Sequence, residues 1–463
     1  MVNSADGVAP EPRAKPSPRT GESDKSAARP VGAWWVVALL SLLYVCSSLD
    51  RAILALLIRP VRAAFGVSDV QVGLLFGPAF AVLYAFIGLP MARIADRGNR
   101  RWLIIVAVCL WASCTLGSAL APTFAILVLL RVGLAAGEAA LSPSAYSMIG
   151  DLFAPRQRAL AASLYGGVGV AGASGAYLLG AAVIAALAAP QAHGVLGPAP
   201  WRVVFLAAGL PTLVLCALFA ITAKEPARST GAADVASLRD VLTLIKASPR
   251  AYVGLFLGAA LTQVIVFSYA AWGPEALRRD YGWSIGRAGL AFGIACLFAG
   301  GAGTLIAPQF SHALERAGRR DGVVVASIVM LLLGAACAIL APLQATPVAF
   351  VILYGFGFLF LIGSCNNVIV AQQTSAPPRM RGTMVAIILM CSTLLGQSIG
   401  PTLTPLLATH LSLVGGRLGG ALALTAALAL GPSLALLLWC RAPYARLSSN
   451  GWRSPSAPAW PAA

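Results

Sequence analysis

Apolar runs of 18 or more residues recur along this chain from Trp34 to Cys440, and that recurrence limits the possible folds more than any other feature. Each run is long enough to cross a hydrocarbon layer of about 30 Å at about 1.5 Å per helical residue. Inside lipid every backbone donor and acceptor must be satisfied by the chain itself, so the choice is between helices and a closed barrel. The runs are rich in Gly, Ala and Leu and lack the alternation of barrel strands, so they read as helices. The chain is 59% hydrophobic and only 11% charged, too little charge to cover a soluble fold of this length.

The runs fall at 33–58, 71–91, 102–120, 123–149, 158–187, 201–222, 250–273, 286–310, 322–341, 347–373, 382–408 and 418–440. Six spans, a charged gap and six spans predict an all-α membrane protein of twelve transmembrane helices in two pseudo-symmetric six-helix bundles. The expected organisation is a disordered cytoplasmic tail over 1–30, an N-terminal bundle over 31–222, a cytoplasmic central loop over 223–249, a C-terminal bundle over 250–442 and a second cytoplasmic tail over 443–463. The first 30 residues are polar, Pro-rich and mixed in charge, with no apolar core of a cleavable signal peptide.

A net charge of +17 could point to nucleic acid, but its distribution points to a membrane. Of the 33 Lys and Arg, 24 fall in the tails and even-numbered loops, seven in the odd-numbered loops, and two, Arg51 and Arg131, inside spans. The positive-inside rule then sets both termini in the cytoplasm and the chain in the inner (plasma) membrane. The nine cysteines are scattered singly, without CxxC, and there are three histidines. Neither a disulfide framework nor a metal site is expected. No cofactor is expected either. The expected partners are membrane lipids and a small-molecule substrate, with no nucleic acid, and the chain is expected to be a monomer.

An internal repeat supports the division into halves. Ser68-Asp-Val-Gln-Val-Gly73-Leu-Leu-Phe-Gly77 opens the second span and Ser284-Ile-Gly-Arg-Ala-Gly289-Leu-Ala-Phe-Gly293 opens the eighth, 216 positions on. Asp96-Arg97-Gly98-Asn99-Arg100-Arg101 and Glu315-Arg316-Ala317-Gly318-Arg319-Arg320 close the same two spans, and Pro155-Arg156-Gln157-Arg158 and Pro378-Arg379-Met380-Arg381 follow the fourth and tenth. Two duplicated bundles about an axis along the membrane normal account for the matches.

Asp50, Arg51, Arg131 and Glu138 are the charges well inside the spans. An intramembrane ionisable group costs several kcal/mol unless paired or hydrated, which marks it as functional by default. Asp50 and Arg51 point about 100° apart on a helix, so each needs a partner on another helix. Counted from the outer face, Asp50 and Arg131 are level at about 12 Å, and Glu138 lies two turns deeper on the face of Arg131. Gly167-x-Gly169-x-x-Gly172 fits a dinucleotide fingerprint but lies within an apolar helix rather than after a strand, so it reads as a ridge for close helix approach. Gly396-x3-Gly400-Pro401 reads as a contact with a kink. The C-terminal spans offer neutral polar residues: Gln263, Ser268, Tyr269, Asn366, Asn367 and Gln397. Glu275, at an outer helix end, reads as solvated.

The loop Asp96-Arg97-Gly98-Asn99-Arg100-Arg101 resembles the signature loop of the major facilitator superfamily, although Ala92 stands where the first Gly belongs and Gly98 is one place early. Leu49-Asp50-Arg51, Arg131-x6-Glu138, Asp151-Leu152-Phe153, Trp201-Arg202 and Lys224-Glu225-Pro226 resemble the Spinster-like transporters within it. The resemblance runs over residues 31–442 and implies secondary transport by alternating access, driven by the proton gradient, of a lipid-like amphiphile. It implies proton-coupling roles for Asp50, Arg131 and Glu138. It also implies that helices seven and ten line a central cavity, which with Arg51 and Tyr44 makes Gln263, Tyr269, Asn366 and Asn367 substrate-binding candidates. Asp96, Arg97, Arg101, Asp151, Glu315 and Arg316 are candidates for an inner latch between the halves. Tyr84 and Tyr146 are weaker cavity candidates. An organic-anion or sugar-acid proton symporter and a drug efflux pump are the alternatives. A catalytic Ser/His/Asp set, a metal cluster or a nucleophile elbow is absent from the spans, so an enzyme is not expected.

Overall fold

A computed structural model describes residues 30–187, 200–228, 238–377, 380–410 and 417–449. The expected N-terminal tail lies outside them except for Pro30, which begins the first helix. The helices are α1 (Pro30–Leu56), α2 (Ile58–Phe65), α3 (Asp69–Phe76), α4 (Pro78–Arg97), α5 (Arg100–Leu120), α6 (Phe124–Glu138), α7 (Leu141–Leu152), α8 (Pro155–Leu187), α9 (Pro200–Thr222), α10 (Leu238–Ala247), α11 (Pro249–Tyr281), α12 (Ile285–Arg316), α13 (Gly322–Leu340), α14 (Pro347–Ser375), α15 (Arg381–Cys391), α16 (Ser398–His410) and α17 (Leu418–Ser449). Ser392–Gln397 forms a π-helical turn joining α15 to α16. Among the described residues eleven stretches are long and apolar enough to cross a membrane, and the 33-residue α8 completes twelve. The chain is an all-α membrane protein of twelve transmembrane helices in two pseudo-symmetric six-helix bundles.

Three spans are broken in ways their hydropathy hides. The second is α3 plus α4, parted at Gly77-Pro78, because Pro78 has no N–H to continue the helix. The fourth ends as α6 at Glu138 and restarts as α7, whose third residue is Pro143. The eleventh carries its π turn just ahead of Pro401 and Pro405, a distortion common at functional positions. Other ends run past the expected limits: α11 reaches Tyr281, α12 reaches Arg316, and α17 continues to Ser449 through what was expected to be tail. At the end of α11, Gly282 takes a φ of 74°, and Trp283 N–H bonds the Leu277 carbonyl at 3.3 Å, the left-handed cap that glycine fits best.

In the first half α1 packs on α8 and α9, α5 on α6 and α9, and α4 on α6. In the second α11 packs on α17, α13 on α14 and α17, and α12 on α14. The halves meet where the repeat puts its glycines. Ser68 and Ser284 N-cap α3 and α12, accepting at 3.3 Å from Gln71 N–H and Arg287 N–H. A Cβ on Gly73 would lie 2.5 Å from the Pro401 carbonyl oxygen, and one on Gly77 2.7 Å from that of Gln397. In the second copy a Cβ on Gly293 would lie 3.0 Å from the Ser174 oxygen, and one on Gly289 3.0 Å from Leu56 Cδ2. α3 on α16 and α12 on α8 are therefore one contact made twice.

Candidate functional site

Between the halves lies a cavity of about 320 Å³. Tyr44, Ser48, Arg51 and Phe76 line its N-terminal side, and Phe267, Ala270, Cys296, Tyr354, Phe358 and Ile362 its C-terminal side. The N-terminal wall thus carries the cation, while the other is largely apolar apart from Cys296 and the Tyr354 phenol.

The N-terminal wall comes from α1, α3 and α8, and buried charges of α6 stand behind α1. Gly133 and Gly137 let α6 lie close on α5: a Cβ at Gly137 would sit 2.7 Å from the Ala107 oxygen. That approach holds Arg131 and Glu138 beside α1. Asp50, Arg131 and Glu138 are 1%, 3% and 2% exposed. Arg131 Nη1 donates to the main-chain oxygen of Asp50 at 3.0 Å, so the two residues are level, as the depth count expects, but Arg131 reaches the backbone rather than the carboxylate. Asp50 Oδ2 instead accepts from Thr115 Oγ1 at 3.1 Å, and Asp50 Oδ1 and Arg131 Nε are buried without a hydrogen-bond partner. Arg51 turns the other way. Its Nε is 2.9 Å from Glu138 Oε2, its Nη2 donates to Ser47 Oγ at 2.8 Å, and its Cζ lies 5.5 and 5.6 Å from the ring centroids of Phe80 and Tyr84. One guanidinium serves both the cavity surface and a buried carboxylate. Tyr165 stacks on Tyr44 and meets Tyr146 edge-on, each at 5.1 Å. Neither Thr115 nor Tyr165 stood out in the sequence.

The other candidates are distributed as follows. Tyr44 lines the cavity. Gln263 is partly buried, its Oε1 3.6 Å from Cys365 Sγ. Asn366 Nδ2 donates to Thr304 Oγ1 at 3.2 Å, towards α12. Asn367 is fully buried, its Nδ2 3.6 Å from Met330 Sδ on α13. Tyr269 is buried among Phe350 and Tyr354 and donates to the Ala338 carbonyl. Asn367 and Tyr269 thus brace the C-terminal bundle and sit off the cavity, because each finds its polar partner on α13.

The contacts described for the expected latch residues lie within one half. The side chain of Asp96 lies outside the described ones, and Arg97 and Arg316 are exposed. Glu315 Oε2 is 3.2 Å from His312 Nδ1 on its own helix. Arg100, 1% exposed, is the hub: it bonds Asp151, Glu225 Oε1 at 2.8 Å and the Pro226 oxygen at 3.1 Å. Arg101 adds a main-chain bond to Glu225 Oε2 at 2.8 Å and a side-chain bond to the Ala220 oxygen at 2.5 Å. The signature loop, Asp151 and Glu225-Pro226 therefore form one knot inside the N-terminal bundle.

The opposite side holds polar contacts that cross between the halves. Arg279 on α11 grips Asp69 on α3 with both nitrogens, at 2.6 and 2.8 Å, and Arg62 reaches Asp69 at 3.0 Å. Glu275, expected in solvent, is 1% exposed because Arg278 and Arg279 close over it at 2.7 and 2.5 Å. Tyr177 donates to the Ala270 oxygen at 2.6 Å, and Gln397 and Thr402 each reach α3 carbonyls at 3.4 Å.

Two helical bundles around a central cavity, carrying buried charges at mid-depth, define a solute carrier rather than an enzyme. Residues 40–401 match the profile of the Major Facilitator Superfamily, and the chain belongs to that family. An MFS-type efflux pump of Mycolicibacterium smegmatis is 28% identical over 83% of this chain and 86% of its own length. Protein spinster homolog 1 of Mus musculus is 26% identical over 81% and 73%. Among solved structures, a bacterial homolog of the human lysosomal transporter Spinster, in an inward-facing and unoccupied conformation, superposes with a TM-score of 0.74 at 24% identity, covering 92% of this chain and 99% of that one. Within the superfamily the chain stands close to the Spinster-like transporters.

Proposed function

We propose that this protein is a proton-coupled secondary transporter of an anionic amphiphile, working by alternating access in the inner membrane with both termini cytoplasmic. The observation that carries the reading is the double duty of Arg51, at the cavity wall and 2.9 Å from Glu138. A buried carboxylate keeps its charge only while a cation faces it. An anionic head group entering the cavity competes with Glu138 for Arg51, and Glu138 released from that pair is neutralised by a proton. Asp50, behind Arg51 and bonded to Thr115, is the second proton site, and Arg131 holds the α1 backbone between them. The apolar wall of Phe267, Phe358 and Ile362 suits a hydrocarbon tail. Under the N-in orientation, the contacts around Asp69 lie on the outer side and close it. The substrate is free in the bilayer or cytosol, and no nucleic acid or cofactor takes part.

The test is ligand binding by the purified chain. Lysophospholipids are expected to raise its melting temperature while sugar acids of equal charge do not, and Arg51→Gln is expected to remove the shift. A shift with sugar acids and none with lysolipids would instead favour the organic-anion reading, and one with cationic drugs the efflux reading, which the 28%-identical efflux pump supports as to direction.

A further inference from the structure

On the outer wall of the C-terminal bundle, facing away from the central cavity, α12 and α14 enclose a groove of about 550 Å³. Its floor is made of small residues, Ala291, Ala295, Ala299, Ala302 and Gly355, and its sides of Phe298, Phe356, Ile294 and Ile352. Every lining residue is apolar apart from the indole N–H of Trp283 at one end. From Ala291 to Ala302 the groove follows eleven residues of α12, about 16 Å, which is about half of a 30 Å hydrocarbon layer. It is as long as one leaflet is deep.

The end with Trp283 is charged. Arg287, exposed, lies with its Cζ 4.3 Å from the centre of the Trp283 ring. Both residues stand at the first turn of α12, next to Ser284, and Val348, which also lines the groove, stands at the first turn of α14. Tryptophan collects at the head-group level of a membrane, and an exposed guanidinium held over an indole has donors left for a phosphate. Cation at the interface and apolar trough below complement one kind of molecule.

We propose that this groove is a binding site for an anionic bilayer phospholipid, one acyl chain lying between α12 and α14 and its phosphate on Arg287. The site is separate from the transport cavity: Cys296 and Tyr354 face the cavity, while their neighbours Ala295 and Gly355 face the groove. A lipid there backs the apolar wall of the cavity and steadies two of the helices that form it.

The experiment is native mass spectrometry of the full chain after exchange into mixed micelles of phosphatidylglycerol and phosphatidylcholine. The wild type is expected to retain one phosphatidylglycerol in preference to phosphatidylcholine. Arg287→Gln is expected to lower phosphatidylglycerol retention about tenfold, the size of a lost charge-assisted contact. Gly355→Leu fills the trough, and its Cβ meets only Ala295 at 3.8 Å, so the helix is not forced; this variant is expected to lose both lipids. Arg51→Gln should retain lipid like the wild type, since it alters the other cavity. Equal retention of the two lipids by the wild type, unchanged retention in both groove variants, or loss of retention in Arg51→Gln would each overturn the proposal.

Discussion

At the scale of single residues, what sets this protein apart is how few charges it buries and how each is answered. Asp50, Arg131 and Glu138 were legible because an ionisable group in an apolar run is costly and therefore conspicuous. The partners were not: Thr115 is one neutral hydroxyl in an apolar helix, and hydropathy cannot tell which way Arg51 turns. Arg51→Gln is expected to weaken ligand binding by about tenfold, measured by thermal shift, and, because it leaves Glu138 buried without its cation, to lower the ligand-free melting temperature as well. Arg100 makes a different kind of contribution. Its removal as Arg100→Ala leaves Asp151 and Glu225 facing one another's side of the bundle without the cation that joins them. Breaking such a buried network costs roughly 3 kcal/mol, so a clear drop in melting temperature is expected, with ligand affinity per folded molecule unchanged.

At the scale of helices, the number and order of spans were readable because length and hydropathy are set by the thickness of lipid. The breaks were not readable, since a two-residue interruption at Gly77-Pro78 or after Glu138 leaves the apolar run unbroken. The repeat was visible as sequence, but its purpose emerges only when the halves are in place: its glycines are where one bundle's backbone touches the other's. This gives a graded prediction. Gly73→Ala drives a methyl against the rigid Pro401 carbonyl at 2.5 Å, whereas Gly289→Ala first meets the movable tip of Leu56 at 3.0 Å. Gly73→Ala is therefore expected to loosen the seal more than Gly289→Ala. Gly88→Ala, with nothing within 4 Å, is expected to leave it unaltered. The rate at which a membrane-impermeant thiol reagent reaches Cys296 from the Asp69 side, in a background lacking the other cysteines, reports the order.

At the scale of the whole molecule, the proposed alternating access turns on the side of Asp69, where polar contacts cross between the halves. That side holds the Arg62–Asp69–Arg279 cluster, which no periodicity announced, since its members come from loops and helix ends 210 positions apart. Asp69→Asn is expected to raise Cys296 labelling from that side and to shift the population towards the opposite state. The expected latch, read from the signature loop, instead knits the N-terminal bundle to itself around Arg100, and the sequence could not distinguish the two because both need the same charges at the same loop. In the proposed mechanism the exchange of Arg51 between a carboxylate and a ligand links alternating access to protons. Its most direct measure is proton uptake by liposomes holding the reconstituted chain when a lysophospholipid gradient is imposed. The wild type should take up protons in step with ligand movement, and Glu138→Gln and Asp50→Asn should each reduce the proton count per ligand. Undiminished, ligand-dependent proton flux in both variants would contradict the account.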